Sequence, residues 1–265
     1  MLLDGGVDVE LAVEAALAGA GVVREKYGRP VGRYDKSATD FATDADLEAE
    51  RAIVDLIRQA RPDDAVVGEE YGAEGGSDDG QNRTWLVDPL CGTLNFAAQT
   101  PLFCTNVALQ ANGQRLVAAV ADPLADEVFW TDGTTAAVRR GGSDAPLEPS
   151  AGSRIVDIDV DAPPDAEFRQ AKVLLDPEFR DTFGPRVSST TLALAWVAAG
   201  RRAAYVTNGQ LRDSVHFTAG IALCLAAGCV VTDLRGQPLH TGPGMLAAAD
   251  PATHAKLVEL IARNP

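Results

Sequence analysis

The run Trp85-Leu-Val-Asp-Pro-Leu-Cys-Gly-Thr-Leu-Asn-Phe96 constrains this chain more than any other segment. Trp85, Leu86 and Val87 are apolar and suited to a pleated, buried surface, so they predict a strand. Asp88-Pro89 ends it, and Gly92-Thr93 follows as a tight turn. An apolar strand that delivers an aspartate to such a turn presents carboxylates and backbone groups to a metal-bound phosphate. Gly92 and Thr93 are the candidate phosphate-binding residues, because amides and a hydroxyl hold phosphate oxygens without a cation.

The elements around this run alternate in type. Val9, Val13, Ala16, Leu17, Ala20 and Val23 recur at helical spacing and predict an amphipathic helix over 7–28, stopped by Gly28-Arg29-Pro30. Thr43 or Asp44 caps a second helix with Leu47, Ile53, Leu56, Ile57 and Ala60 on one face. Val66-Val67 is a short strand running into Gly68-Glu69-Glu70, and Ala73 to Arg83 reads as an exposed loop. Strands at 85–87, 106–110, 116–121, 127–131 and 136–139 are separated by turn residues, as in an antiparallel meander. Residues 143–153 read as a connecting segment. Strands at 155–160, 172–175, 203–207 and 230–233 then alternate with helices at 190–199, 216–227 and 253–262. The chain therefore divides into an N-terminal lobe of helix pair and antiparallel sheet (1–142) and a C-terminal α/β lobe (154–265). This order implies stacked helix and sheet layers. Neither G-x-G-x-x-G after a strand nor G-x-x-x-x-G-K-[ST] occurs, so no nucleotide loop is expected.

Charge narrows the partners. With 23 basic and 38 acidic residues the net charge is −15, a field that repels nucleic acid and anionic membranes. A phosphate ester is repelled too unless cations or local amides bridge the mismatch, which suits a metal-dependent site. The start of the chain lacks a basic region followed by an apolar one, and the apolar stretch Thr218 to Val231 falls short of the roughly 20 residues of a membrane span. A cytoplasmic location follows as the expectation. Cys91, Cys104, Cys224 and Cys229 make no C-x-x-C pair and are expected to be free thiols. The last three are expected in the core, as are Trp196 and Tyr205, with His240 and His254 at the surface. Arg201-Arg202 complement a helix end or bind an anion.

Further motifs accompany the central run: Lys36 with Thr39-Asp40-Phe41-Ala42-Thr43-Asp44-Ala45-Asp46, then Gly68-Glu69-Glu70, Asp122 to Glu127 with Gly141, and Ser188 to Leu192. Val215-His216-Phe217-Thr218-Ala219-Gly220 and Ala226 to Cys229 follow near the end. Together, across nearly the whole chain, these segments resemble the inositol monophosphatase superfamily. The resemblance implies a layered αβαβα sandwich with its site at the junction of two lobes. It implies Glu69, Asp88 and the carbonyl of Leu90 as metal ligands, and Asp46 with Thr93 as the pair that orients the attacking water. It also implies Mg²⁺ as the metal, a small phosphorylated metabolite as substrate, and a homodimer.

Two positions depart from that pattern. Cys91 stands where the resemblance places a second signature aspartate, and His216 where it places a metal-binding aspartate at a helix start. Each change removes a negative charge and a hard oxygen, whereas Mg²⁺ favours near-octahedral oxygen coordination. Three readings follow. In the first, efficient Mg²⁺-dependent hydrolysis is lost and the protein is a pseudoenzyme that binds or scaffolds a protein partner. In the second, Cys91, His216, Asp88 and Glu69 hold Zn²⁺ or Fe²⁺. In the third, one Mg²⁺ at Glu69 and Asp88 supports residual phosphatase chemistry with Asp46 and Thr93. If no metal is bound, the clustered carboxylates are expected to protonate or to pair with Lys36. Asp213 is expected to cap the helix beyond His216 or, with a register shift, to enter the site.

Overall fold

A computed structural model describes residues 5–37, 40–76, 82–112, 114–161, 169–209 and 211–264. Thr39, Gly113 and residues 77–81, which the sequence reading assigned to a motif, a turn and a loop, lie outside the described residues. The chain forms two compact units, Met1–Pro146 with Asp213–Leu223, and Leu147–Arg212 with Cys224–Pro265.

In the first unit the order is α1 (Gly5–Lys26), β1 (Arg33–Asp35), β2 (Phe41–Thr43), α2 (Asp44–Ala60), β3 (Ala65–Gly68), β4 (Gly72–Gly75), β5 (Arg83–Cys91) and α3 (Thr93–Ala97). Strands β6 (Cys104–Ala111), β7 (Gln114–Asp122), β8 (Glu127–Thr131), β9 (Ala136–Arg140) and β10 (Ser143–Pro146) follow. An eight-stranded sheet runs β10-β9-β8-β7-β6-β5-β3-β4, with β3 parallel to β5 and the other pairs antiparallel. Val9, Val13 and Ala16 of α1 and Ile53 and Ile57 of α2 pack on Trp85, Val87, Val107, Leu109 and Ala119 of the sheet. Each large side chain so buried contributes about 1.5–3 kcal/mol. The Trp85 indole, fully buried, donates to Asp64 at 2.8 Å, and Arg83 pairs with both Asp64 and Asp8, so the polar end of the cluster is satisfied.

The second unit holds β11 (Ile155–Ile158), α4 (Arg169–Lys172), a 3₁₀ turn at Val173–Leu175, α5 (Pro177–Thr182), β12 (Gly184–Val187), α6 (Leu192–Ala198) and β13 (Ala204–Thr207). After α7 (Thr218–Ala227), whose first residues belong to the first unit, come β14 (Val230–Thr232), β15 (Met245–Ala248) and α8 (Pro251–Arg263). The five-stranded mixed sheet runs β12-β11-β13-β15-β14. Asp250 caps α8 through the Thr253 amide at 2.8 Å, and Leu257, Leu260 and Ile261 pack on Val156, Val206 and Leu246.

The architecture is α/β, with helices layered on a mixed sheet in each unit. Four local expectations change. Residues 172–175 are helical, because Asp176-Pro177 starts a new helix and Leu175 stays 78% exposed instead of entering a sheet. Gly72–Gly75 pairs with β3 as an exposed edge strand. Ser143–Pro146, expected as connection, extends the sheet beside β9. Helix α7 starts at Thr218, two residues later than expected. Among the described residues no helix is long and apolar enough to cross a membrane.

Candidate functional site

Strand β5 carries the site. Asp88 pairs with Asn106 and Cys91 with Cys104, and the register shifts between them, so Pro89 and Leu90 form an irregularity where proline is tolerated. Thr105 donates to the Pro89 carbonyl at 2.8 Å, and the buried Leu90 side chain packs with Val23, Ala45, Phe96 and Phe103. The bulge is thereby fixed from both sides. Asp88 is fully buried; the Leu90 amide donates to its Oδ1 at 3.2 Å. Gly92 then reverses the chain at φ +106°, a conformation that disfavours any side chain, and α3 begins at Thr93.

Thr93 faces Asp46. Its hydroxyl donates to Asp46 Oδ1 at 2.8 Å and lies 3.1 Å from the Leu90 carbonyl. The other oxygen, Oδ2, accepts from the amide and hydroxyl of Thr43 at 2.7 and 2.6 Å, forming the capping box of α2. Asp46 is thus both a helix cap and the partner of Thr93. Burial pushes its carboxyl up to about 6, against the hydrogen bonds from Thr43 and Thr93 that lower it.

Glu69 follows β3, whose Gly68 lies beside Val87 in parallel register, and the Glu69 amide donates to the Val87 carbonyl at 3.1 Å. The buried Glu50 of α2 accepts from the amides of Glu70 and Tyr71 at 2.8 and 2.9 Å and so pins this turn. A Cβ at Gly68 would lie 2.0 Å from Glu50 Oε1, so a side chain there would displace the carboxylate that pins the turn. Lys36 pairs with Glu69 Oε1 at 3.3 Å and Glu70 Oε1 at 2.7 Å. Its ammonium is raised above the usual lysine range: burial lowers it, and the two glutamates more than reverse that.

His216 completes the group. Its Nδ1 is 2.8 Å from Asp88 Oδ2 and 4.0 Å from Glu69 Oε2. Asn106 Nδ2 lies 3.4 Å from both Asp88 Oδ2 and the His216 carbonyl, bridging the two. Burial lowers the imidazole, but the charge and hydrogen bond of Asp88, with the charge of Glu69, carry it up to about 9. Glu69 is itself held well above the usual carboxyl range by burial and by the Asp88 charge, opposed by His216 and Lys36. Donor atoms of Asp88, Cys91 and His216 all lie within 4.8 Å of one another.

The structure therefore brings Glu69, Asp88, Cys91 and His216 together and forms Asp46 and Thr93 into a separate pair joined to Leu90. All of these residues belong to the first unit, because 213–223 groups with it. The donors at Asp88 are oxygen, sulfur and nitrogen. That set suits zinc or a similar borderline ion and does not form the oxygen shell that Mg²⁺ favours.

Asp213 is not a cap. It sits at φ +52°, accepts from Gln110 Nε2 at 3.1 Å, and leaves the turn before α7 to Ser214. Arg202 is held by Asp157 and lies 4.5 Å over the half-buried Trp196 ring, which accounts for it without a bound anion. His254 is half-buried and bonded to Thr232 at 2.8 Å, whereas His240 is exposed. The four cysteines are buried and form no disulfide, and Tyr205 is buried. Sequence reasoning missed Asn106 and Glu50. The signal for Asn106 was a polar residue directly before the apolar run Val107-Ala108-Leu109 of a buried strand, where a buried amide requires a partner.

A layered α/β chain carries a cluster of carboxylates at a strand–turn–helix junction, and likeness to known proteins supplies its family. The sequence matches the inositol monophosphatase family over residues 7–265. The chain belongs to this family. It is 32% identical to the Nus factor SuhB of Salmonella typhimurium, over 91% of this chain and 90% of that one. It is 33% identical to an inositol-1-monophosphatase of Caulobacter vibrioides, over 80% of this chain and 84% of that one. The crystal structure of the extragenic suppressor protein suhB of Bartonella henselae superposes with a TM-score of 0.86 at 25% identity, covering 98% of this chain and 100% of that one.

Proposed function

We propose that this member of the inositol monophosphatase family is a pseudoenzyme: it lacks efficient Mg²⁺-dependent hydrolysis and acts in the cytoplasm by binding, as a homodimer or with a protein partner. One observation carries the reading. Positive charge from the protein's own side chains stands among the carboxylates, with His216 at 2.8 Å from Asp88 and Lys36 at 3.3 Å from Glu69. These cations offset the repulsion that would otherwise recruit a divalent ion, and an imidazolium so placed repels Mg²⁺. Relatives that carry the name Nus factor, which is not the name of a catalytic activity, agree with a role in association.

A second reading has its own support. The Asp46–Thr93 bond of 2.8 Å keeps intact the pair that would orient water, and relatives are named inositol-1-monophosphatases. Under that reading one Mg²⁺ at Glu69, Asp88 and the Leu90 carbonyl would hydrolyse a small phosphorylated metabolite, with Gly92 and Thr93 against the phosphate.

A single assay separates the two. Hydrolysis of inositol 1-phosphate is measured with and without Mg²⁺, beside a catalytically competent relative. The pseudoenzyme reading expects no Mg²⁺-stimulated turnover, and calorimetric Mg²⁺ binding only after Cys91→Asp with His216→Asp. Turnover at the relative's rate would overturn it.

A further inference from the structure

We infer that Asp88, Cys91 and His216 form a site for a thiophilic divalent cation of the Zn²⁺ class, with the Glu69 carboxylate at its fourth side. The His216 charge that opposes Mg²⁺ is lost to a thiophilic cation, which releases the ring proton and the Cys91 thiol proton to solvent as it binds, so the site stands whether or not the protein works by association.

The argument is geometric and chemical. The three residues come from two segments: Asp88 and Cys91 from β5, on either side of its irregularity, and His216 from the turn before α7. Their donor atoms nevertheless fall within 4.8 Å of one another, the closest approach described being the 2.8 Å between Nδ1 and Oδ2. Zn–N and Zn–O bonds of about 2.0 Å and Zn–S bonds of about 2.3 Å set donors about 3.3 to 3.5 Å apart in a tetrahedron. Shifts on the order of 1 Å in flexible side chains span the difference. His216 is 43% exposed and has room to turn, while the fully buried Asp88 is the fixed point. The fourth side already carries an oxygen, since Glu69 Oε2 lies 4.0 Å from Nδ1 while Lys36 holds its other oxygen. Outer partners are also in place: Asn106 and the Leu90 amide orient Asp88, and Glu50 fixes the turn that carries Glu69. Supporting bonds of this kind pre-order ligands in metal centres. Thiolate and imidazole select zinc over Mg²⁺ by softness.

The test is titration of the chelator-treated full-length protein with Co²⁺ as a spectroscopic stand-in, followed by Zn²⁺ and then Mg²⁺. The expected result is one Co²⁺ per chain, with the intense visible bands of tetrahedral cobalt and a near-ultraviolet thiolate-to-cobalt band, displaced by stoichiometric Zn²⁺ and unaffected by excess Mg²⁺. Cys91→Ser should abolish the thiolate band, and His216→Ala should weaken Zn²⁺ binding by about 100-fold or more, since even outer partners are worth 10–100-fold. Cys104→Ser should leave the band in place, and melting curves of each variant verify folding. Failure to bind Co²⁺ or Zn²⁺, binding unchanged in folded Cys91→Ser and His216→Ala, or a band lost only in Cys104→Ser would each overturn the site. Displacement of the thiolate-bound Co²⁺ by Mg²⁺ would overturn the thiophilic character of the site, and Mg²⁺-stimulated hydrolysis beside an unchanged Co²⁺ band would sink the pseudoenzyme reading alone.

Discussion

Asp46 satisfies the Thr43 amide and hydroxyl with one oxygen and the Thr93 hydroxyl with the other. Removing the cap should therefore be felt beyond the helix end. Thr43→Ala is expected to lower the unfolding free energy by about 1–2 kcal/mol, the upper part of the range for helix caps, as read by urea denaturation. Thr43→Ser should recover most of it. His216 gives a pH prediction. Its folded-state value of about 9 lies above the unfolded value near 6.5, so its contribution to stability is complete below about pH 6.5 and is lost as pH rises through 9. Solvent screening at a ring 43% exposed reduces the effect to about 1 kcal/mol. Wild-type protein should lose that much more stability than His216→Gln across this interval, and proton NMR of the metal-free protein should show the ring titrating late. A ring titrating near 6.5 would show that Asp88 does not hold it.

Among the elements, the turn between β3 and β4 depends on a residue from a helix. Glu50→Ala deletes two carboxylate–amide bonds at a buried position and should cost about 2–4 kcal/mol in denaturant unfolding, with Glu50→Gln less damaging. Loss of under 0.5 kcal/mol would mean that the turn holds itself. This turn also shows which parts of the fold were legible. Helices α1, α2 and α8 and strands β5 to β9 declared themselves because their side chains repeat with the period of the surface they bury. Strands β4 and β10 exist through backbone pairing at a sheet edge; Gly-Ala-Glu-Gly and Ser-Asp-Ala-Pro carry no apolar alternation to reveal them. Val173-Leu174-Leu175 misled for the opposite reason: three apolar residues fit a strand or a helical turn equally, and the Asp176-Pro177 cap decided it. Within the site, Asp88, Cys91 and Thr93 were readable from one contiguous run. Glu50 was not, because its role depends on an approach of helix to turn across 20 residues of sequence.

For the whole molecule the governing quantity is the net charge of −15. Self-repulsion of that size opposes compaction, and the Debye length falls from about 30 Å at 0.01 M salt to about 8 Å at 0.15 M. The melting temperature is expected to rise by a few degrees over that interval in differential scanning fluorimetry. A fall would assign more weight to ion pairs such as Arg139 with Glu10 and Asp144 than to the field as a whole. The same charge predicts that the protein passes through a heparin column unretained.

The double duty of Asp46 bears on how such a chain changes over generations. A side chain that the folded state needs is sheltered from drift, whatever chemistry the cleft beside it performs. Selection for a stable helix alone is enough to keep this carboxylate beside Thr93, whereas the α2 cap makes no demand on Cys91 or His216. The chemistry of such a cleft can therefore change at Cys91 and His216 while the fold holds Asp46 and Thr93 in place, so few mutational steps separate one use of the cleft from another.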